Sequence, residues 1–113
     1  MRAFSSAIRQ VELRAHPREA VNRRAKVLDG TFPIDALIKD ISIGGARLLF
    51  PGRIPSNESF VTVDIDIATA YACAVVWRKG AEFGVRILKS QDLRGLVSGQ
   101  FDPAKRAWQA SSR

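Results

Sequence analysis

The run Arg14-Ala15-His16-Pro17-Arg18 sets two arginines four residues apart. Pro17 fixes its own φ and drives His16 towards extended geometry, so the run is not helical. On an extended arm two guanidinium groups can reach around an object. Guanidinium makes bidentate contacts with phosphate and with the acceptor edge of guanine, and it stacks on aromatic planes. Taken alone, an arginine pair at this spacing is common and reads first as a solvated basic surface. A second run, Asp40-Ile41-Ser42-Ile43-Gly44-Gly45, leads a strand into a glycine pair. Asp40 and Ser42 alternate along a strand and so share a face. A carboxylate can accept two hydrogen bonds from the donor edge of a guanine, and a hydroxyl can donate or accept beside it. Gly45 permits either a close backbone approach to a ligand or a turn with positive φ. Alone, this run also reads as a hairpin turn with an Asx-type cap.

Other candidates offer less. His16 is the only histidine, and its neighbours Arg14 and Arg18 make a poor setting for a general base. Asp64 and Asp66 alternate on one strand and are read as an outward acidic face, in preference to a metal or acid–base pair. Cys73 is the only cysteine, which excludes an internal disulfide and argues against a cysteine metal cage. It is read as a small core hydrophobe. Neither common Gly-rich phosphate loop is present. The chain is therefore expected to be a binding module and not an enzyme, with no metal and no resident cofactor.

In this order and around a strand-rich chain, the two runs resemble the PilZ domain family, whose signature is R-x-x-x-R followed by [D/N]-x-S-x-x-G. The first element is Arg14 to Arg18; the second is Asp40, Ser42 and Gly45. The resemblance covers roughly residues 11–90. It includes Ala46-Arg47-Leu48 after the glycines and a last hairpin, Val75-Val76-Trp77-Arg78 with Gly84-Val85-Arg86-Ile87. It implies a six-stranded antiparallel barrel that binds cyclic di-GMP. Arg14 and Arg18 would contact phosphates and guanine, Asp40 and Ser42 would hold a guanine, and Gly45 would shape the turn beneath it. Trp77 is either a stacking platform or a core or barrel-closing residue. Leu13 stands where many members carry another arginine, and it would pack on the barrel or against one base, which favours one ligand per chain over two. The implied role is a receptor that changes its surface on binding and regulates a protein partner in motility, exopolysaccharide production or a related output. Two alternatives remain: a PilZ-like interaction module without the nucleotide, and a small barrel for single-stranded nucleic acid. Against the second, the aromatics form no evenly spaced exposed row along the expected strands, as such barrels use.

The elements that must position these residues are short strands. Ala25 to Leu28 ends at Asp29-Gly30, and Ile34 to Ile38 continues towards Asp40. Ala46 to Phe50 stops at Pro51-Gly52. Phe60 to Ile67 alternates, with Val61, Val63, Ile65 and Ile67 on the apolar face of a half-buried strand. Tyr71 to Trp77 turns through Arg78-Lys79-Gly80 into Glu82 to Ile87. This is an all-β pattern, closed into a barrel that removes exposed edges. Helices are expected from Ser90 through Val97 and over Ala104 to Ala110, with a weaker helical turn after Ser5 or Ser6. The organisation is then a flexible basic arm over 1–18, a barrel over 19–90 and a helical segment over 91–113.

Charge follows the same division. The net charge is +7, of which residues 1–26 contribute +5, residues 27–101 zero and residues 102–113 +2. The asymmetry points to an anionic partner for the N-terminal segment. No run is long or apolar enough to span a bilayer, and no signal peptide is apparent, so the expected location is cytoplasmic.

Overall fold

A computed structural model describes residues 17–30 and 32–111. Six strands form: β1 Glu19–Leu28, β2 Pro33–Ile41, β3 Gly45–Leu49, β4 Ser59–Asp64, β5 Thr69–Lys79 and β6 Glu82–Asp92. All neighbours are antiparallel, in the order β1-β2-β3-β6-β5-β4, and β4 pairs back with β1 to close the barrel. Each strand has a neighbour on both sides over part of its length, so the barrel closes without an edge strand. A 3-10 turn, Gly99–Phe101, leads into one helix, α1 Asp102–Ser111.

Turn chemistry sets the hairpins. Gly30 (φ 144°) and Gly80 (φ 61°) adopt backbone angles that side chains rarely tolerate, at the β1–β2 and β5–β6 turns. Alternation then fills the interior: Ala25 and Val27 from β1, Ile38 from β2, Leu48 from β3 and Phe83 from β6 are all buried. Phe50 meets Phe83 edge-to-face at 4.8 Å between centroids. Cys73 belongs to this core, and burial pushes its thiol up to about 11, so it stays protonated and unreactive at neutral pH.

Strand β4 differs from the sequence reading. Its alternation is present, but the apolar face points outward and is covered. Val63 packs in a second cluster with Leu93, Phe101 and Ala104, beneath α1. The polar face points inward: Thr62 lies 3.5 Å from the Cys73 sulfur, and Asp64 is fully buried. Asp64 and Asp66 therefore do not form an outward acidic face. The strand also stops at Asp64, because residues 65–68 turn and Ala68 takes φ 53°. Asp66 locks that turn by accepting from the Arg24 amide (2.9 Å) and from its guanidinium (3.1 and 2.9 Å).

The helix expected from Ser90 to Val97 is absent. Ser90 pairs with Tyr71 and Asp92 with Thr69, so β6 runs on to Asp92. Leu93 then turns in under α1, its amide bonded to the Ala68 carbonyl at 2.8 Å. Long-range strand pairing outweighs the local capping signal of one serine. The second expected helix, after Asp102-Pro103, is α1. Trp108 packs with the cluster that α1 covers.

Asp64 makes the barrel sensitive at one point. Arg23 Nε donates to its Oδ2 at 2.8 Å, while Oδ1 has no partner. Burial raises the pKa of Asp64, and the charge and hydrogen bond of Arg23 act against that rise. Removing one member of a buried pair leaves the other uncompensated. Arg23→Met is therefore expected to lose about 3 kcal/mol at neutral pH in denaturant unfolding, the low end of the range because Arg23 keeps some contact with water. A carboxyl whose folded pKa is raised favours the fold below its unfolded pKa and loses that contribution as pH rises through the folded value. The deficit of Arg23→Met should therefore shrink as pH falls towards 4, and Asp64→Asn in the same background should recover part of it. A deficit independent of pH would show that the Asp64 charge is not its cause.

Candidate functional site

Ser42 and Gly45 begin and end the β2–β3 turn. The Ser42 amide donates to the Gly45 carbonyl at 2.8 Å, and the Ile87 amide on β6 donates to the Gly44 carbonyl at 2.9 Å. The turn is thus fastened to β6. Gly45 is required here for proximity and not for φ: a Cβ would lie 2.8 Å from the Val85 carbonyl oxygen of the neighbouring strand. Gly45 does not take the positive φ open from sequence, and what approaches it closely is the backbone of β6.

Across the β5–β6 ladder, Trp77 is paired with Gly84. The indole lies on that glycine so closely that a Cβ at 84 would fall 2.1 Å from Nε1. Trp77 is nevertheless 41% exposed, so it is not a core residue. One face is seated on backbone and the ring remains accessible.

These pieces border one open pocket of about 350 Å³, lined by Arg18, Ser42, Gly44, Gly45 and Trp77 together with Val76, Gly84, Val85 and Arg86. Four residues singled out from sequence therefore converge there: Arg18, Ser42, Gly45 and Trp77. Asp40 is not in the lining. It sits beside it, covered by Arg18, whose Nη1 donates to Oδ1 at 2.7 Å. Arg47, the cross-strand partner of Asp40, donates through Nε to Oδ2 at 2.8 Å. Burial works to raise the pKa of Asp40, but the hydrogen bonds and charges of Arg47 and Arg18 together hold it below the ordinary value. Asp40 is thus an ionised acceptor with both oxygens engaged. Leu13 and Arg14 lie outside the described residues, as do the helical turn expected after Ser5 or Ser6 and most of the 1–18 arm.

One pocket residue, Arg86, and one residue behind the pocket, Arg47, escaped the sequence reading. Arg86 is exposed on β6 beside Gly45, its register partner, and Arg47 sits behind Asp40. The signal for Arg47 was its place two residues after Gly45 on the next strand, opposite Asp40. Among the described residues no group of three or more His, Cys, Asp or Glu could hold a metal, and no helix is long and apolar enough to cross a membrane.

The pocket thus lies at the β2–β3 turn of a closed six-stranded antiparallel barrel. The PilZ domain model matches residues 12–98, and the chain belongs to that family. It is a family of cyclic di-GMP receptors, which are binding and adaptor modules. Among curated proteins none matches this chain.

The two glycines give separable outcomes. Gly45→Ala sets a Cβ against backbone, so β3 and β6 must part, and a loss of about 1–3 kcal/mol in unfolding free energy is expected. Gly84→Ala sets a Cβ against a side chain that can swing away, so stability should change little while the indole leaves its seat. In a Trp108→Phe background, acrylamide quenching of the remaining tryptophan should then increase. Unchanged quenching would mean that Gly84 does not hold the ring.

Proposed function

We propose that this chain binds cyclic di-GMP in the pocket between the β2–β3 turn and the β5–β6 hairpin. The observation that carries the reading is the convergence of Arg18, Ser42, Gly45 and Trp77, from separate stretches of sequence, on that pocket, with Asp40 directly behind Arg18. Trp77 offers an aromatic face for a guanine. Arg14 and Arg18 take phosphates and base edges. Asp40 accepts from the guanine donor edge, Ser42 supplies a hydroxyl beside it, and Gly45 keeps the turn close to β6. Leu13 packs on the barrel or against a base, and one ligand is bound per chain.

Binding is an exchange of partners. In the free protein Arg18, 59% exposed, occupies Asp40 Oδ1. Ligand phosphates draw that guanidinium away, and the freed carboxylate oxygen is open to guanine. Residues 1–18 act as the arm that closes over the ligand, 19–90 as the receptor barrel and 91–113 as the segment that covers its outer face. The new surface regulates a protein partner in the cytoplasm. A nucleic-acid reading loses ground because Arg23, Arg24 and Lys26 are each paired with an aspartate of the barrel and form no free basic groove.

Calorimetry should give micromolar or tighter binding at one ligand per chain. Arg14→Ala and Arg18→Ala should each lose hydrogen bonds to a charged group of about 1.5–3 kcal/mol, roughly ten- to hundredfold in affinity. Asp40→Ala should impair guanine recognition most. A compact ligand with two phosphates releases few counterions, so the salt dependence should be shallow. Both arginine variants binding like the parent would sink this reading; tight, salt-resistant binding of an oligonucleotide without binding of the dinucleotide would replace it.

A further inference from the structure

Arg47 is engaged on two sides at once. Nε donates to Asp40 Oδ2 at 2.8 Å and Nη1 donates to Glu82 Oε2 at 3.0 Å. The three side chains come from β2, β3 and β6, and Glu82 stands at the first position of β6, opposite Lys79 across the hairpin. Arg18 contacts the other oxygen of Asp40 and is far more open to water than Arg47, at 59% against 34%. One carboxylate therefore has an anchored cation on Oδ2 and an exposed cation on Oδ1.

We propose that Arg47 is a positioning residue that fixes the plane of the Asp40 carboxylate and thereby sets selectivity for guanine. This inference rests on the cyclic di-GMP reading. The terminal torsion of an aspartate is broad, so a carboxylate on its own settles in no single plane. Reading the N1–H and the 2-amino group of guanine together requires both oxygens in the plane of the base. Arg47 supplies that constraint through Oδ2 and leaves the oxygen a further lone pair for the base. Arg47 cannot follow a rotating carboxylate, because Glu82 holds its other nitrogen. Arg18 reaches Asp40 from the opposite side and can leave without releasing the plane. Arg47 keeps the acid in a charged, acceptor-only state after Arg18 has gone.

The test compares cyclic di-GMP with its inosine counterpart, in which each base lacks the 2-amino group, by calorimetry on the full chain. The parent should prefer cyclic di-GMP by roughly tenfold or more, the worth of a hydrogen bond to a charged acceptor. Arg47→Gln should weaken cyclic di-GMP and bring the preference down towards one. Arg47→Lys, a point charge that cannot bridge Asp40 and Glu82, should restore only part of it. Glu82→Gln leaves the pocket lining untouched, and it should give an intermediate preference even where Arg47→Gln folds poorly. A purely structural role predicts that both ligands weaken alike; an undiminished preference in Arg47→Gln, or in Glu82→Gln should the former not fold, overturns the inference. A parent that binds cyclic di-GMP without preferring it over the inosine form overturns the inference and leaves the receptor reading standing. A parent that binds neither removes both.

Discussion

Closure of the barrel by β1 is the constraint on which the rest depends. β1 hydrogen-bonds to β2 on one side and β4 on the other, joining the first strand in sequence to the fourth. The same strand carries a dense row of basic residues, and like charges so close would oppose closure if left uncompensated. The barrel supplies an acid for each: Asp64 for Arg23, Asp66 for Arg24 and Asp35 for Lys26, with Asp40 for Arg18 just before the strand. The pairs are not equal in energy. Those at the surface contribute little, whereas Arg23–Asp64 involves a carboxylate with no water contact, and losing its partner would leave a buried charge uncompensated.

Closure also sets the site. Ala20 pairs with Asp40 at the start of β1, so the Arg18 segment is delivered to the β2–β3 end of the barrel. The ladders flanking Asp40 are irregular, between Ala20 and Arg23 on β1 and between Ile38 and Asp40 on β2. Such irregularities re-aim side chains, and they are frequent beside functional sites. Here they coincide with the change from Ile38, wholly inside, to Asp40, which is turned to Arg18 and Arg47 at the rim.

Much of this was legible in the sequence. The turn glycines, the strand count and the two motif runs depend on short-range rules: φ at Gly30 and Gly80, period-two alternation, and fixed spacing around Ser42 and Gly45. What failed depended on distant partners. Nothing local to Phe60–Asp64 says that its apolar face meets a helix some forty residues later while its polar face enters the barrel; both orientations satisfy the same alternation. Asp64 looked like a surface acid because its partner, Arg23, is 41 residues away. Ser90 looked like a helix cap because its cross-strand partner Tyr71 is invisible to capping logic. Within the site, the aromatic and glycine positions were visible, but not that Trp77 needs Gly84 as a seat, nor that Arg47 backs Asp40.

The charge asymmetry acquires a different meaning once these pairs are in place. From sequence alone the basic N-terminal segment invites any polyanion. In the folded chain Arg23, Arg24 and Lys26 are committed to aspartates of the barrel, so their positive charge is locally offset. Around the pocket the balance is different: Arg18 shares Asp40 with Arg47, and Arg86 has no acidic partner among the described residues. Arg18 and Arg47 are balanced by Asp40 and Glu82, so Arg86 carries the uncompensated positive charge of the pocket lining. An anion placed there meets the two lining cations, Arg18 and Arg86, and leaves the pairs of Arg23, Arg24 and Lys26 in place. A long polyanion lying along β1 would instead compete with aspartates already in contact, and would gain little from each exchange. On the proposed binding reading, compactness therefore matters as much as charge.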